Sequence, residues 1–122
     1  MAFIEFHKQH GKKATITGVT PPGRYGALIT SGNVVSDFTE KPSGDLGSLI
    51  NGGFFVLNPS CLNLITSLDV SWEETPLKTL AHDGELMVYR HKRFWHAMDT
   101  LRDKNYLEAL WTSGAPPWKC WE

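Results

Sequence analysis

The stretch that most constrains the fold reads FWHAMDTLRDKN and covers residues 94–105. The aromatic pair Phe94-Trp95 follows a strand-like run, and Asp99 stands where the next helix is expected to begin. That helix is predicted over Leu101–Trp111, because apolar residues recur on one face and Gly114 follows them. A carboxylate at a strand-to-helix junction either binds a cation or caps the helix. The spacing alone favours the cap.

Upstream of this stretch, strand-like and helix-like segments alternate along the chain. β-branched runs and turn residues predict the strands, and apolar residues at helical spacing predict the helices. The alternation predicts an α/β fold, with a mixed sheet, flanking helices and a hairpin around residues 31–33. The predicted strands cover residues 14–19, 27–30, 34–40, 50–57 and 86–91, and the predicted helices cover residues 3–10, 60–67, 76–82 and 101–111.

The start of the helix over residues 76–82 has two interpretations. In the first, Thr75 is the N-cap and Pro76 occupies the first helical position. In the second, the helix begins at Ser71, and Glu74 three residues later completes a capping box. Both stay open from the sequence.

Length and composition exclude several classes of protein. A chain of 122 residues is predicted to form one domain. Twelve Lys and Arg residues against thirteen Asp and Glu give a net charge of −1, which argues against a nucleic-acid partner. Neither a secretory signal nor a membrane-spanning run is visible. Because Cys61 and Cys120 match no metal or disulfide spacing, we expect reduced thiols and a cytoplasmic location.

Four sequence blocks occur in a fixed order along the chain: PPGRYGAL (residues 21–28), FTEKP (38–42), INGGFFV (50–56) and FWHAMDTLRDK (94–104), followed by PPWK (116–119). Together they resemble the glucose-1-phosphate cytidylyltransferases, which are sugar-phosphate nucleotidyltransferases. Glu-Lys-Pro alone is a common tripeptide, but the order and spacing of the blocks over almost the whole chain make the resemblance specific. The sequence departs from the family pattern at His96-Ala97, where the family tends to have Gln-Pro.

This resemblance implies a reaction and a set of binding residues. The phosphate oxygen of glucose 1-phosphate would attack the α-phosphorus of CTP, giving CDP-glucose and pyrophosphate. Lys41 would meet the sugar phosphate, and Glu40 would accept hydrogen bonds from sugar hydroxyls. Gly26, Asn51 and Gly52 would contact the sugar.

The resemblance also implies a magnesium ion in the full-length family, held by two carboxylates, of which Asp99 would be the second. The first metal-binding Asp and the Gly-rich loop that cradles the nucleotide phosphates are absent from this sequence. The chain therefore looks like the C-terminal, sugar-binding half of the fold, a truncated mixed sheet without the nucleotide-binding half. We expect one carboxylate to be too few, and no Mg²⁺ to be bound by this chain.

Structural interpretations of the same residues stay open. Lys41 and its neighbours are equally compatible with an exposed charged turn. Gly52 and Gly53 are equally compatible with a β-bulge, and Trp72 and Trp95 are more typical of core than of pocket walls.

Two functions are therefore compatible with the sequence. The chain is the sugar-phosphate-binding part of a cytidylyltransferase, inactive alone, or it is a non-catalytic remnant that acts as a binding or self-association module. Half a sheet would expose an edge and apolar surface, which predicts a homo-oligomer or pairing with a missing N-terminal half. We expect its affinity for glucose 1-phosphate to be weak or lost.

Overall fold

The computed structural model describes residues 2–20, 27–39 and 49–121. The chain divides into two compact units, Met1–His91 and Lys92–Glu122. Among the described residues, five strands and two α-helices belong to the first unit, and a third α-helix belongs to the second. That residues 1–122 form a single domain stays a prediction.

The predicted α/β fold with flanking helices is confirmed. Within the described ranges, none of the helices is long and apolar enough to cross a membrane. The elements are α1 (Ala2–His10), β1 (Ala14–Val19), β2 (Ala27–Ser31), β3 (Val34–Thr39), β4 (Ile50–Leu57), a 3-10 helix (Pro59–Leu64), α2 (Thr75–His82), β5 (Leu86–Arg90) and α3 (Leu101–Thr112).

The five strands form one mixed sheet in the order β1-β4-β2-β3-β5, and β5 returns to pair with β1. The β1–β5 pair is parallel, and the other neighbours are antiparallel. Two of the pairings are short: β2 meets β4 at Ala27 and Ile50, and β3 meets β5 at Val34 and Met87. Among the described residues, one residue pair closes the sheet at each of these two junctions.

Strand β1 lies at the centre of this unit, and all six of its residues are buried. It pairs with β4 on one side and with β5 on the other, which explains why its sequence is short and rich in β-branched residues. Ile16 is fully buried and packs with Val88 of β5 and Leu77 of α2 in the hydrophobic core. The core residues are Ala14, Ile16, Val35, Cys61, Leu77, Leu80, Ala81, Leu86 and Val88.

Two of the predicted helical segments differ from the structure. The segment predicted over residues 60–67 is a 3-10 helix that ends at Leu64, because Ile65 adopts an extended backbone. Helix α2 begins at Thr75, so Thr75 is not the N-cap; Glu74 occupies that position, without a side-chain cap hydrogen bond. Ser71 does not start the helix either, since its carbonyl accepts from Glu74 N–H in a separate turn.

A buried polar cluster joins α1 to β1 and to the residue after β4. We call His7, His10, Thr15 and Asn58 the α1 latch. The Thr15 hydroxyl lies 2.7 Å from His7 Nδ1 and 2.6 Å from His10 Nε2. His7 Nε2 lies 2.8 Å from Asn58 Oδ1. His7 and Thr15 are both buried, so these bonds stand in for lost water contacts.

The partners of His10 fix which of its ring nitrogens carries the hydrogen. His10 Nδ1 accepts from the backbone N–H of Lys12 at 2.8 Å, so its Nε2 carries the hydrogen and donates to Thr15. Asn58 Oδ1 can only accept, so His7 Nε2 donates to it. His7 Nδ1 lies within hydrogen-bond distance of the Thr15 hydroxyl, which can donate to it. The acceptor role of His10 Nδ1 makes His10 neutral in the latch.

This arrangement predicts that stability falls as the pH is lowered. Burial is the main cause that lowers the pKa of His10 below its ordinary value of 6.5; His7 and Lys12 lower it further, and Glu85 acts in the opposite direction. In the pH range below 6.5 the unfolded chain therefore binds a proton that the folded chain does not. The stabilisation is complete above that range and is lost as the pH falls through it.

We expect the free energy of unfolding, measured with urea, to decrease between about pH 7.5 and about pH 5.5, and to decrease less in His10→Gln. His82→Gln is the matched control, because the side chain of His82 is 88% exposed. An equal decrease in the wild type and in His10→Gln would contradict the prediction.

Candidate functional site

The predicted site residues divide into those that the structure describes and those that it does not. Asn51 and Gly52 lie on β4 in the first unit, and Asp99 lies in the second. Gly26, Glu40 and Lys41 fall outside the described residues, so their predicted contacts with sugar and phosphate stay predictions.

Strand β4 carries a bulge at its two glycines. The register with β1 passes from Ile16 opposite Phe55 to Gly18 opposite Asn51, so Thr17 alone faces residues 52–54. The Thr17 hydroxyl lies 3.1 Å from the carbonyl oxygen of Phe54, to which it donates, and accepts from the N–H of Phe54 at 3.2 Å. A threonine side chain thus replaces the interrupted backbone ladder.

The two glycines are required for different reasons. A Cβ at Gly52 would lie 2.7 Å from the Thr17 hydroxyl, closer than van der Waals contact permits. Gly53 has a φ of +88°, in the left-handed region that disfavours other residues. The bulge interpretation of the sequence therefore describes the strand. That Gly52 also admits a sugar stays a prediction.

The Asn51 side chain is held at both ends of its carboxamide. Its Oδ1 accepts from the Gly53 N–H at 2.7 Å, and its Nδ2 donates to Glu73 Oε2 at 2.5 Å. Glu73 comes from the loop before α2, 22 residues along the chain. Sequence reasoning missed this residue, because no local spacing connects it with the INGGFFV block.

Trp72 packs against the same strand. Its ring meets Phe55 of β4 edge-on, with ring centroids 5.7 Å apart and planes at 90°. Its Nε1 is buried and has no hydrogen-bond partner in the part of the chain that the structure describes. The interpretation of Trp72 as a packing residue is thus supported by its contact with Phe55, and a role as a pocket wall stays a prediction.

In the second unit, the cap of α3 is Thr100, and the alternative interpretation of Asp99 as the N-cap is wrong. Thr100 is extended, at φ −128° and ψ 164°, and its hydroxyl accepts from Asp103 N–H at 3.1 Å. Asp103 completes the capping box by accepting from Thr100 N–H, and it also accepts from Asp99 N–H. Asp99 therefore contributes its backbone to the helix start, while its carboxylate is not part of the cap.

The Asp103 carboxylate is occupied by these bonds. His96 Nε2 donates to its other oxygen at 3.0 Å. The backbone N–H of Asp99 is the main cause that lowers the pKa of the Asp103 carboxyl, and the hydrogen bonds from Thr100 and His96 lower it further. The Asp103 carboxylate thus stabilises the N-terminus of α3.

Asp99 is the described carboxylate that fits the implied metal. It is exposed, and it does not serve as the helix cap. Mg²⁺ is held by one or two carboxylates together with waters and substrate phosphates, so Asp99 could supply one ligand but not a complete site. Among residues 2–20, 27–39 and 49–121, no group of three His, Cys, Asp or Glu side chains could hold a metal ion. A ligand role for Asp99 stays a prediction.

Substitutions at the two adjacent positions separate the cap from the candidate ligand. We expect Thr100→Ala to lower the stability of α3 by about 1 kcal/mol, because the side-chain acceptor for the Asp103 N–H is lost. Asp99→Ala should change it by less than about 0.5 kcal/mol. Circular dichroism during urea unfolding measures both. A larger loss in Asp99→Ala than in Thr100→Ala would contradict this assignment.

Comparisons with known proteins identify the family of the chain. A family model described as nucleotidyl transferase matches residues 1–109 of the chain. The chain belongs to the nucleotidyl transferase family. Its predicted resemblance to glucose-1-phosphate cytidylyltransferases is confirmed, since it is 60% identical to the proteins of that name from Salmonella typhi and Salmonella typhimurium over 121 residues. The matched region is 99% of this chain and 47% of each relative.

Some relatives with lower identity have names that state other substrates. A mannose-1-phosphate guanyltransferase from Aspergillus oryzae is 36% identical over 108 residues, which is 84% of this chain and 29% of that protein. The chain thus spans about half the length, or less, of the curated relatives that it matches.

Proposed function

We propose that this chain is the sugar-phosphate-binding part of a glucose-1-phosphate cytidylyltransferase, which converts CTP and glucose 1-phosphate to CDP-glucose and pyrophosphate. The observation that carries the proposal is the 60% identity, along 99% of the chain, to two proteins of that name. The bulge of β4 is consistent with it, because two adjacent glycines leave the strand without side chains beside Asn51.

In this proposal the chain's own residues bind and orient the sugar phosphate. Lys41 neutralises the phosphate of glucose 1-phosphate, and Glu40 accepts hydrogen bonds from the sugar hydroxyls. Gly26, Asn51 and Gly52 contact the sugar ring. Such phosphoryl chemistry depends mainly on positioning and charge neutralisation, so these contacts are the chain's contribution.

A magnesium ion, when bound, supplies further charge neutralisation at the phosphates. Asp99 would provide one of its ligands, because its carboxylate is exposed and is not used by the capping box. A cytoplasmic location accompanies the proposal and stays untested.

We propose further that the 122-residue chain alone has no cytidylyltransferase activity, because its sequence contains no Gly-rich phosphate-binding loop to orient CTP. Pyrophosphate release is measured with CTP, glucose 1-phosphate and Mg²⁺. We expect none above background. Turnover that scales with the amount of chain would contradict the proposal.

Binding of glucose 1-phosphate tests the sugar-phosphate site separately from turnover. Isothermal or NMR titration is carried out on the wild type, on Lys41→Ala and on Lys78→Ala as the control. Lys78 lies on the exposed face of α2, and its substitution by alanine removes the same charge as Lys41→Ala. We expect weak binding that Lys41→Ala abolishes and Lys78→Ala retains. Equal affinities in all three chains would contradict the role of Lys41.

The alternative function is a non-catalytic module that binds a partner or another copy of itself. It is favoured by apolar side chains exposed in the first unit, among them Phe54, which is 69% exposed and lies beside the bulge. A homo-oligomer is expected. A monodisperse monomer by light scattering at micromolar concentration would contradict it.

A further inference from the structure

The orientation of the Asn51 carboxamide is fixed by its two partners. A backbone N–H can only donate, so the atom 2.7 Å from Gly53 N must be the oxygen. An ionised carboxylate can only accept, so the atom that meets Glu73 Oε2 must be the nitrogen. The two contacts agree on a single orientation of Asn51. The Gly53 bond alone already identifies the oxygen, and the Glu73 bond adds a second attachment that restricts rotation of the carboxamide.

Glu73 is held in place by the residues on both sides of it. The ring of Trp72 packs on Phe55 of β4, and the Trp72 carbonyl accepts from Leu77 N–H at 3.1 Å. Glu74 N–H donates to the Ser71 carbonyl at 3.1 Å and closes the turn. The backbone at Glu73 is therefore anchored to the core side of β4 and to the first turn of α2. Its side chain reaches Asn51 from a fixed base.

The remaining hydrogen-bonding capacity of Asn51 has a definite chemical character. A carboxamide has two N–H donors and two oxygen lone pairs, and the fold uses one of each. Among the described residues nothing else bonds this carboxamide, so one donor and one acceptor remain, which together complement a hydroxyl group. The Glu73 carboxylate beside them repels an anion. This end of the candidate site therefore favours a neutral hydroxyl over a phosphate.

We propose that Glu73 is a positioning residue, which fixes the Asn51 carboxamide so that it can bind a hydroxyl of the sugar. This inference rests on the proposed function and deepens it. It adds a residue from outside the INGGFFV block to the sugar site. It also assigns the Asn51 end of that site to the hydroxyl side of glucose 1-phosphate, away from the phosphate.

The test compares four chains: the wild type, Glu73→Ala, Glu73→Gln and Glu74→Ala. Gln retains an acceptor oxygen at the same reach, and Glu74 is the matched control, because it makes no side-chain cap hydrogen bond. Glucose 1-phosphate is titrated into each chain and followed by NMR. We expect Glu73→Ala to weaken the affinity about fivefold, with Glu73→Gln and Glu74→Ala close to wild type.

A second measurement separates positioning from general stability. The side-chain amide signals of Asn51 are assigned by their loss in Asn51→Asp and compared in the four chains without ligand. We expect them to shift and to exchange faster with water in Glu73→Ala, while the thermal midpoint stays within about 2 °C of wild type. Unchanged Asn51 signals in Glu73→Ala would overturn the inference, whatever the affinity.

The two measurements also separate this inference from the proposed function. If the wild type does not respond to glucose 1-phosphate, the proposed function of this chain fails, and the Asn51 signals still decide whether Glu73 holds the carboxamide. If the wild type binds and Glu73→Ala binds equally well, the proposed function stands and the positioning role is overturned.

Discussion

Replacing Thr15 with valine is expected to lower the free energy of unfolding by about 2–4 kcal/mol. Valine has nearly the same volume, so the core packing of β1 is preserved. The substitution removes the hydroxyl that joins the two histidines of the α1 latch. His7 Nδ1 would lose its donor, and His10 Nε2 would lose its acceptor. Because His7 is buried, water cannot easily replace the lost partner.

Urea unfolding at about pH 7.5, above the pH range in which His10 binds a proton, measures the effect. The matched control is Thr79→Val on α2, since the latch involves no residue of that helix. We expect the control to change stability by less than about 0.5 kcal/mol. A Thr15→Val chain as stable as Thr79→Val would show that the latch does not hold α1 to the sheet.

Replacing Gly52 with alanine is expected to lower the free energy of unfolding by about 2–3 kcal/mol, because the new methyl group overpacks the bulge. Its Cβ would lie 2.7 Å from the Thr17 hydroxyl and 3.2 Å from the Thr17 backbone carbonyl. The carbonyl belongs to the central strand and cannot move away freely. The clash must therefore shift β4 or break the hydrogen bonds between Thr17 and Phe54.

Gly53→Ala is the informative comparison, because nothing lies within 4 Å of a Cβ there. Its φ of +88° costs alanine only backbone strain, about 1 kcal/mol. A second control introduces Gly52→Ala into a Thr17→Ala chain, which lacks the Thr17 hydroxyl. We expect the cost of Gly52→Ala to be smaller in that background. If Gly53→Ala proves the more damaging of the two, the steric account of the bulge is wrong.

The sequence could predict those features of the site that depend on residues close together along the chain. The pattern of Asn51, Gly52 and Gly53 indicated a bulge or a ligand contact, and the bulge is present. Thr100 and Asp103 stand three residues apart, which is the spacing of a capping box, so the true cap of α3 was visible in principle. The sequence does not separate Asp99 from Thr100 as the N-cap, because Asp and Thr both favour that position. The structure separates them, since Thr100 has the extended backbone of an N-cap residue.

Local order along the chain was enough to determine the family resemblance, the alternation of helices and strands, and the limits of β1 and β4, because side-chain periodicity and turn residues act over a few positions. The tertiary structure alone decided which distant side chains meet. Asn58 binds His7 across 51 residues, and Glu73 binds Asn51 across 22. Such pairs depend on how strands and loops are brought together in space, and no spacing within either segment encodes the partner in the other.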